Sequence, residues 1–225
     1  MVKQNNACKM NIKKLHYFSG ITLSLFIGLH LFNHLIALFG ANAHIQVMNV
    51  LRVIYRNPVT ETFLLIVVVT QATSGIRLVS LIIRRGKKGS KKGKNTSFYD
   101  KLQIYSGLYL AFFLVAHTVA TVWQGRQVLQ LDTNFYYAAV VVNVSPALLF
   151  FFPYYFLAVV SVFGHIAAIH YKKTMHLSVT RAQTQAKTIL TIGAIVGVLI
   201  LIGLNQSYQG IEIPKEYYKT LEGYF

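Results

Sequence analysis

The stretch Lys14–Gly20 (KLHYFSG) opens a long apolar run, and Lys101–Gly107 (KLQIYSG) opens another in nearly the same way. A histidine follows the glycine by ten positions in each run, His30 in the first and His117 in the second. An imidazole inside a bilayer is costly unless it has a partner. The matched positions therefore predict two membrane helices whose histidines share a partner between them.

The composition indicates a protein that crosses a membrane several times. Of its 225 residues, 54% are hydrophobic and only 12% are charged, which is more apolar than a soluble domain usually is. A helix needs about 20 apolar residues to span the hydrocarbon core. Five runs are long enough, at roughly 15–39, 59–83, 102–123, 145–170 and 188–205. We predict one all-α membrane domain over residues 1–225, a bundle of five transmembrane helices, with short surface helices in 40–58 and 124–144.

The distribution of positive charge predicts how the bundle is oriented. The net charge is +16, and sixteen Lys and Arg residues fall on one side of a five-span arrangement against five on the other. Much of the larger group lies in the segment 84–94 (RRGKKGSKKGK). The positive-inside rule places that side and the N-terminus in the cytoplasm, with the C-terminus outside. The charge thus indicates topology and contact with a lipid bilayer, and we expect no nucleic-acid partner.

The histidine pair suggests a specific cofactor. His30 and His117 lie at similar depths in two helices that run outward, and two neutral imidazoles can supply both axial ligands of a haem. The alternative is that each histidine only hydrogen-bonds to a backbone carbonyl or hydroxyl group. His34 follows His30 by four positions and so faces a similar direction. It is therefore an alternative ligand, or a partner for a haem propionate or a quinone carbonyl.

The inner half of the bundle contains a second candidate ligand. His165 lies near the inner end of the fourth span and is either a ligand of a second haem or a hydrogen-bonded core residue. The second span contains no histidine to partner it, but it does contain Arg77, which is suited to a haem propionate or a lipid phosphate. We expect the remaining histidines near helix ends and loops to be solvated or interfacial: His16, His44, His170 and His176.

Glu61 is the carboxylate closest to the membrane interior, at the outer end of the second span. At that level it is placed to take protons from a quinol whose electrons leave for a haem. Asn57-Pro58 just before it fits a helix start. The alternative is therefore an acidic residue that the helix dipole favours at a helix N-terminus.

The order of these residues resembles a known family. They run Lys14-Leu15-His16, Gly20, His30-Leu31, Glu61, Gly107, His117 and His165. This order, over most of residues 12–205, is similar to that of the single-chain, five-helix, dihaem cytochrome b subunit of succinate dehydrogenase/fumarate reductase. No single motif is diagnostic, but helix number, orientation and long outer loops also agree with the family.

The resemblance implies roles for individual residues. His30 and His117 would bind an outer, distal haem b, and His165 would bind an inner, proximal one. The second ligand of the inner haem falls on Gln71, four residues before Gly75. Glutamine is not a usual haem ligand, so this chain departs from the family there. The resemblance therefore leaves an inner haem that is lost, five-coordinate or ligated in another way.

The resemblance also implies cofactors, partners and location. Besides haem b it implies a membrane quinone such as menaquinone, with Glu61 beside the outer quinone site. A flavoprotein and an iron–sulfur subunit would carry the succinate/fumarate chemistry, with this subunit as their anchor in the bacterial cytoplasmic membrane. Two alternatives remain open: the cytochrome b subunit of another quinone-linked enzyme (hydrogenase, nitrate reductase or formate dehydrogenase), or a haem-free anchor or transporter.

Overall fold

A computed structural model describes the backbone of residues 2–88 and 97–222 and the side chains of residues 11–84 and 97–222. The helices are α1 (Val2–Ile36), α2 (Ala41–Tyr55), α3 (Pro58–Lys88), α4 (Phe98–Thr118), α5 (Phe135–Asn143), α6 (Ala147–Thr174), α7 (Val179–Gly203) and α8 (Gln206–Gln209). A π-helix, Val119–Val128, continues α4, and 3₁₀ turns occupy Ala37–Phe39 and Lys215–Leu221.

Within the described residues, five helices are long and apolar enough to cross a membrane, which confirms the predicted multi-pass architecture. They are Asn11–Phe39, Pro58–Arg84, Phe98–Val128, Ala147–Thr174 and Val179–Gly203. The last begins nine residues before the predicted span because the Ser178 side chain accepts a hydrogen bond from the Arg181 backbone N–H. Ser is a favoured N-cap, so the helix starts there although its first turns are polar.

The five spans are arranged in a ring, in which each span packs against two neighbours. α1 packs on α3, α3 on α4, α4 on α6, α6 on α7, and α7 returns to α1. On one side of the bundle α1, α4 and α7 begin and α3 and α6 end, and we call this the basic side. Tyr99 and Tyr171 stack there with ring centroids 3.8 Å apart, which ties α4 to α6. Residues 89–96 of the predicted basic loop lie outside the described residues.

The opposite side of the bundle is closed by helices that do not span. Short helices were predicted in 40–58 and 124–144, and α2 and α5 lie there. α5 is buried within the protein, since Phe135, Ala139 and Val140 are fully buried. A helix that is apolar on all sides is buried, and α5 (FYYAAVVVN) is of this kind. α5 also packs against the C-terminal turn, where Tyr136 meets Tyr217.

Candidate functional site

The histidines of the bundle lie in two layers, and the layer nearer the basic side faces a large cavity. The cavity has a volume of about 1300 Å³ and is enclosed by α1, α3, α4 and α6. His16 from α1 and His165 from α6 both line it, together with Gln71 from α3. Ligand pockets are typically roughly 300–1,000 Å³, so this cavity has room for a large cofactor.

The ring of His16 is held by the neighbouring helix α3, which corrects the expectation that this side chain is solvated or interfacial. His16 Nδ1 lies 3.0 Å from Ser74 Oγ. The Ser74 hydroxyl donates its proton to the Gln71 backbone carbonyl at 3.2 Å. A hydroxyl has one proton to give, so with that proton on the carbonyl we assign His16 Nδ1–H as the donor in the first bond. The lone pair of His16 is therefore on Nε2.

His165 is held in the same way by helix α4. Its Nδ1 lies 3.3 Å from Ser106 Oγ, and the Ser106 hydroxyl donates to the Leu102 carbonyl at 2.6 Å. By the same count of protons, His165 Nδ1–H donates and the lone pair is on Nε2. His165, predicted to be a ligand or a hydrogen-bonded core residue, is hydrogen-bonded and also lines the cavity.

Each of these imidazole rings packs against a glycine, and that glycine directly follows the serine to which the ring is hydrogen-bonded. A Cβ added at Gly75 would lie 3.2 Å from His16 Cε1, and a Cβ added at Gly107 would lie 3.1 Å from His165 Cε1. Such distances are shorter than a normal carbon–carbon contact of about 3.5–4.0 Å. The absence of a side chain at Gly75 and Gly107, each directly after a serine, therefore leaves room for the two imidazole rings. We call these two positions the glycine seats.

Gln71 lies in this layer, at the position where the resemblance implied a second ligand. Its side-chain Oε1 accepts a hydrogen bond from Ser19 Oγ, and its Nε2 lies 3.4 Å from His16 Nε2. A Cβ added at Gly20 would lie 3.3 Å from Gln71 Nε2. The amide therefore packs between α1 and α3 and binds His16 through a hydrogen bond.

Arg77 does not belong to this layer. It is exposed on α3 and is not among the residues that line the cavity, so its position gives no support for a role beside a haem propionate. The cations that line the cavity are instead Lys13, Lys172 and Lys173. Lys172 forms a salt bridge with Asp100. Lysines of α1 and α6, rather than Arg77, therefore supply the positive charge at the cavity.

The second layer lies farther from the basic side, and we call it the outer layer. It contains the repeated histidines, His30 and His117. Their ring centroids lie 5.9 Å apart, with the ring planes inclined by 68°. Each ring stacks on a phenylalanine four residues earlier, Phe26 at 5.8 Å and Phe113 at 5.1 Å. Both phenylalanines stand six positions after the glycine of the repeat. The repeat frame thus contains them, although the histidines alone were singled out from the sequence.

His34 and His44 extend this layer toward α2. His34 Nε2 lies 3.3 Å from His30 Nε2, and the rings of His34 and His44 are 5.3 Å apart. The expectation that His44 is solvated is wrong, because it is 1% exposed and its Nε2 bonds to Asn33 Nδ2 at 3.1 Å. His44 lies on the buried face of α2 with Ala41 and Met48, a helical spacing that could have identified it from the sequence.

The outer layer contains buried polar atoms that have no partner in the described part of the chain. They are His34 Nδ1, His44 Nδ1 and Asn33 Oδ1. Buried polar atoms of native proteins are nearly always satisfied. Three such atoms close together therefore point to a polar group that is added from outside the chain, such as a cofactor substituent or water.

His44 lies outside the membrane spans, and its protonation follows from its surroundings. Burial lowers the pKa of His44 from 6.5 to about 4, and the nearby His30 and Arg52 lower it further in the same direction. The imidazole is therefore neutral at pH 7. A neutral ring can donate from one nitrogen and accept at the other.

Glu61 is paired with a cation that the sequence did not suggest. Its carboxylate forms a salt bridge with Arg126 of the π-helix, and both side chains are largely buried. Glu61 also lies in the first turn of α3, as the dipole interpretation requires. The ion pair connects the start of α3 to the end of the third span, near the outer histidine layer.

A directly bound metal ion and a haem make different demands on the protein. In the described residues there is no group of three or more His, Cys, Asp or Glu side chains that could hold a metal ion. A haem needs only axial ligands from the protein, and each layer contains imidazoles from two helices. The glycine seats and the unpartnered ring nitrogens are features that such a cofactor would use. Searches of family models, curated proteins and solved structures found no match to the chain.

Proposed function

We propose that the chain is the membrane-anchor cytochrome b subunit of a succinate:quinone oxidoreductase. It would carry electrons between an iron–sulfur partner subunit and membrane quinone. The observation that supports this most is that one helical bundle contains two layers of histidines at different heights. One of these layers lines a cavity of about 1300 Å³. Haem b, when bound, would supply one-electron transfer at each layer.

In the outer layer, His30 and His117 would hold one haem. Of His30 and His34, His30 is the better candidate, because its ring approaches that of His117 to 5.9 Å. Phe26 and Phe113 stack on these rings and would fix their orientation. His34 and His44 would then be available to hydrogen-bond cofactor substituents or a quinone carbonyl.

Glu61 would serve the quinone side of this reaction. A quinol that loses electrons must also lose protons, and Glu61 is a carboxylate near the outer layer that could accept them. Arg126, paired with it, would hold the carboxylate in place. This role requires the outer layer to face the outside of the bacterial cytoplasmic membrane, the orientation that the charge distribution predicts.

The basic side would face the cytoplasm and dock the soluble subunits. A flavoprotein would interconvert succinate and fumarate, and an iron–sulfur protein would pass the electrons on. The described cations of this side include Lys13, Lys172 and Lys173, which line the cavity. Positive charge at this surface favours an acidic partner and speeds its association.

The first experiment is a reduced-minus-oxidised visible spectrum of the purified chain, combined with pyridine-haemochrome stoichiometry. We expect b-type haem, and we expect His117→Ala to lose the outer haem only. The matched control is His170→Ala, which removes a half-buried histidine that bonds to Gln185 outside the cavity and should leave the haem content unchanged. Wild-type protein without haem would overturn the cytochrome proposal.

A second experiment distinguishes this enzyme from other quinone-linked complexes. The complex is purified from its native membrane through a tag on this chain, and succinate is added under anaerobic conditions. We expect succinate to reduce the haem, and we expect fumarate to reoxidise it. Haem that is reduced by hydrogen or formate but not by succinate would assign the subunit to another complex.

A further inference from the structure

The position at which the resemblance implied the second ligand of the basic-side haem is occupied by Gln71, yet the same layer contains a histidine from another helix. We propose that His16 of α1, with His165 of α6, supplies the two axial ligands of a haem in the basic-side cavity. This inference rests on the proposed function, since it concerns where a haem would bind. It replaces a ligand from the second span by one from the first.

The first argument is that both rings line one cavity. His16 and His165 belong to helices on different sides of the 1300 Å³ space. Of the described histidines, these are the two that line it. A bis-imidazole site needs one ring from each side of the cofactor, and α1 and α6, which are not neighbours in the ring of spans, each contribute one ring to the cavity lining.

The second argument is that both rings have the same tautomer, the one that coordination requires. We assign Ser74 Oγ and Ser106 Oγ as acceptors of a hydrogen bond from Nδ1–H, because their own hydroxyl protons are donated to backbone carbonyls. The lone pair therefore lies on Nε2 of both rings. Metal-bound histidines almost always donate their second ring N–H to an oxygen acceptor, which fixes the ring orientation.

The third argument is that the chain provides space for each ring at a glycine. Gly75 and Gly107 immediately follow the two serines, and a Cβ at either position would press on Cε1 of the ring. An isolated histidine that merely satisfied a hydrogen bond would not need such a seat twice. The two seats, on α3 and α4, place the rings in equivalent surroundings.

Gln71 acts in this arrangement as a positioning residue. Its Nε2 contacts His16 Nε2 at 3.4 Å, while its Oε1 is held by Ser19. If iron took the lone pair of His16, the Gln71 amide would keep the bond to Ser19. The amide would therefore not be left without a partner when the cofactor binds.

The test is the haem content of the full chain, measured by pyridine haemochrome and by electron paramagnetic resonance of the oxidised protein. We expect two haems per chain in the wild type and one in His16→Ala, with the outer signal retained. His176→Ala, which removes an exposed histidine that does not line the cavity, should keep two. His170→Ala should also keep two.

A second variant separates ligation from folding. His16→Gly leaves room for free imidazole, so added imidazole should restore the second haem and its low-spin signal. A purely structural role for His16 predicts no such rescue. His16→Met offers a thioether in place of the ring, and a methionine ligand should raise the midpoint potential of one haem only.

The outcomes for the inference and for the proposed function are distinct. Wild-type protein with no haem would overturn both. Two haems in both the wild type and His16→Ala would overturn the inference and leave the proposed function standing. A single wild-type haem that His117→Ala removes and His16→Ala retains would also overturn the inference alone.

Discussion

The state of each buried imidazole is decided by the group that binds its second nitrogen. In the basic-side layer a serine hydroxyl oxygen accepts a hydrogen bond from the Nδ1–H group, because the hydroxyl proton is already donated to a helix carbonyl. In the outer layer the rings bind one another instead, as His34 binds His30. Bonding to serine favours a single tautomer of the ring. Where two rings bind each other, the nitrogen that carries the proton depends on the other groups that bind them.

His44 should make the stability of the protein depend on pH. Its pKa is lowered to about 4 in the folded protein, mainly by burial. The folded ring therefore resists protonation that the unfolded chain accepts below pH 6.5. Stability should be unaffected by this group above pH 6.5 and should fall between pH 6.5 and 4, by about 3 kcal/mol in all.

The measurement is unfolding in detergent at several pH values, for the wild type, His44→Gln and His176→Gln. The His44→Gln variant should lose part of the pH dependence between 6.5 and 4. His176 is exposed, so its removal should leave the dependence unchanged. Equal slopes in the wild type and His44→Gln would contradict the assignment of a neutral buried ring.

For single residues, the sequence identified the two histidines that occupy repeated positions. It did not identify the histidines that are held by polar residues distant in the sequence. His30 and His117 share a frame that is visible in the chain, and the structure brings their rings together. His16 and His44 were expected to be solvated or interfacial, since the sequence places His16 at a helix start and His44 in a loop. Ser74 and Asn33 fix them inside, and which polar group a histidine meets depends on helix packing rather than on local sequence.

Two elements meet near the outer layer at an unusual helical segment. The third span changes at Val119 from an α-helix to a π-helix that runs to Val128. π-helical turns are often found at functional sites. This segment holds Arg126 against Glu61, which lies in the first turn of α3. It therefore connects two spans at the level where quinone chemistry is proposed.

Substitution of Glu61 and Arg126 should separate the structural role of this ion pair from a proton-transfer role. We expect Glu61→Gln to block quinol oxidation while haem content stays intact, and Arg126→Gln to retain a measurable part of the activity. Each change should reduce stability by about 1–3 kcal/mol, because both side chains are largely buried and a lone buried charge is costly.

The measurements are quinol turnover, haem content and unfolding in detergent for both single variants and the double variant. A coupling free energy between the two sites would confirm the ion pair. If Arg126→Gln lost as much turnover as Glu61→Gln, the carboxylate would act only through the pair. Normal turnover in Glu61→Gln would leave Glu61 as a residue of the helix N-terminus.

The contact between α6 and α7 should be the most sensitive to an added methyl group. A Cβ at Gly193 would lie 2.3 Å from Phe163 Cβ, an atom that cannot move without its backbone. We expect Gly193→Ala to destabilise the bundle by about 2 kcal/mol or more. The control is Gly28→Ala in α1, where a Cβ would meet nothing within 4 Å and stability should stay within about 1 kcal/mol of wild type. Similar unfolding of both variants in detergent would contradict this packing.

Element boundaries could be predicted where apolar residues set them, and less well where capping or irregular helices do. The second span was predicted at 59–83 and is found at Pro58–Arg84. The fifth begins earlier because of the Ser178 cap, and the third ends later because the π-helix continues it to Val128. The buried position of α5 could not be derived, since it depends on how the C-terminal segment folds over it.

At the scale of the whole molecule, the spans divide into those that enclose the cavity and one that supports them. α1, α3, α4 and α6 contribute the residues that line it, whereas α7 packs against α6 and α1. Both histidine layers draw only on helices of the first group and on α2. Five helices could be counted from hydropathy, but the cavity requires knowing which four of them face one another.

The orientation of this bundle can be tested with the single native cysteine. In the five-span arrangement predicted from the sequence, sixteen Lys and Arg residues fall on one side and five on the other, and transport of so many cations across the membrane is disfavoured. Cys8 precedes the first span and should therefore lie in the cytoplasm. We expect an impermeant thiol reagent to leave Cys8 unlabelled in intact spheroplasts and to label it after lysis. In a Cys8→Ser background, Glu222→Cys near the C-terminus should be labelled without lysis, which controls for reagent access. Labelling of Cys8 in intact spheroplasts would show that the bundle has the opposite orientation. The outer histidine layer and Glu61 would then lie toward the cytoplasm.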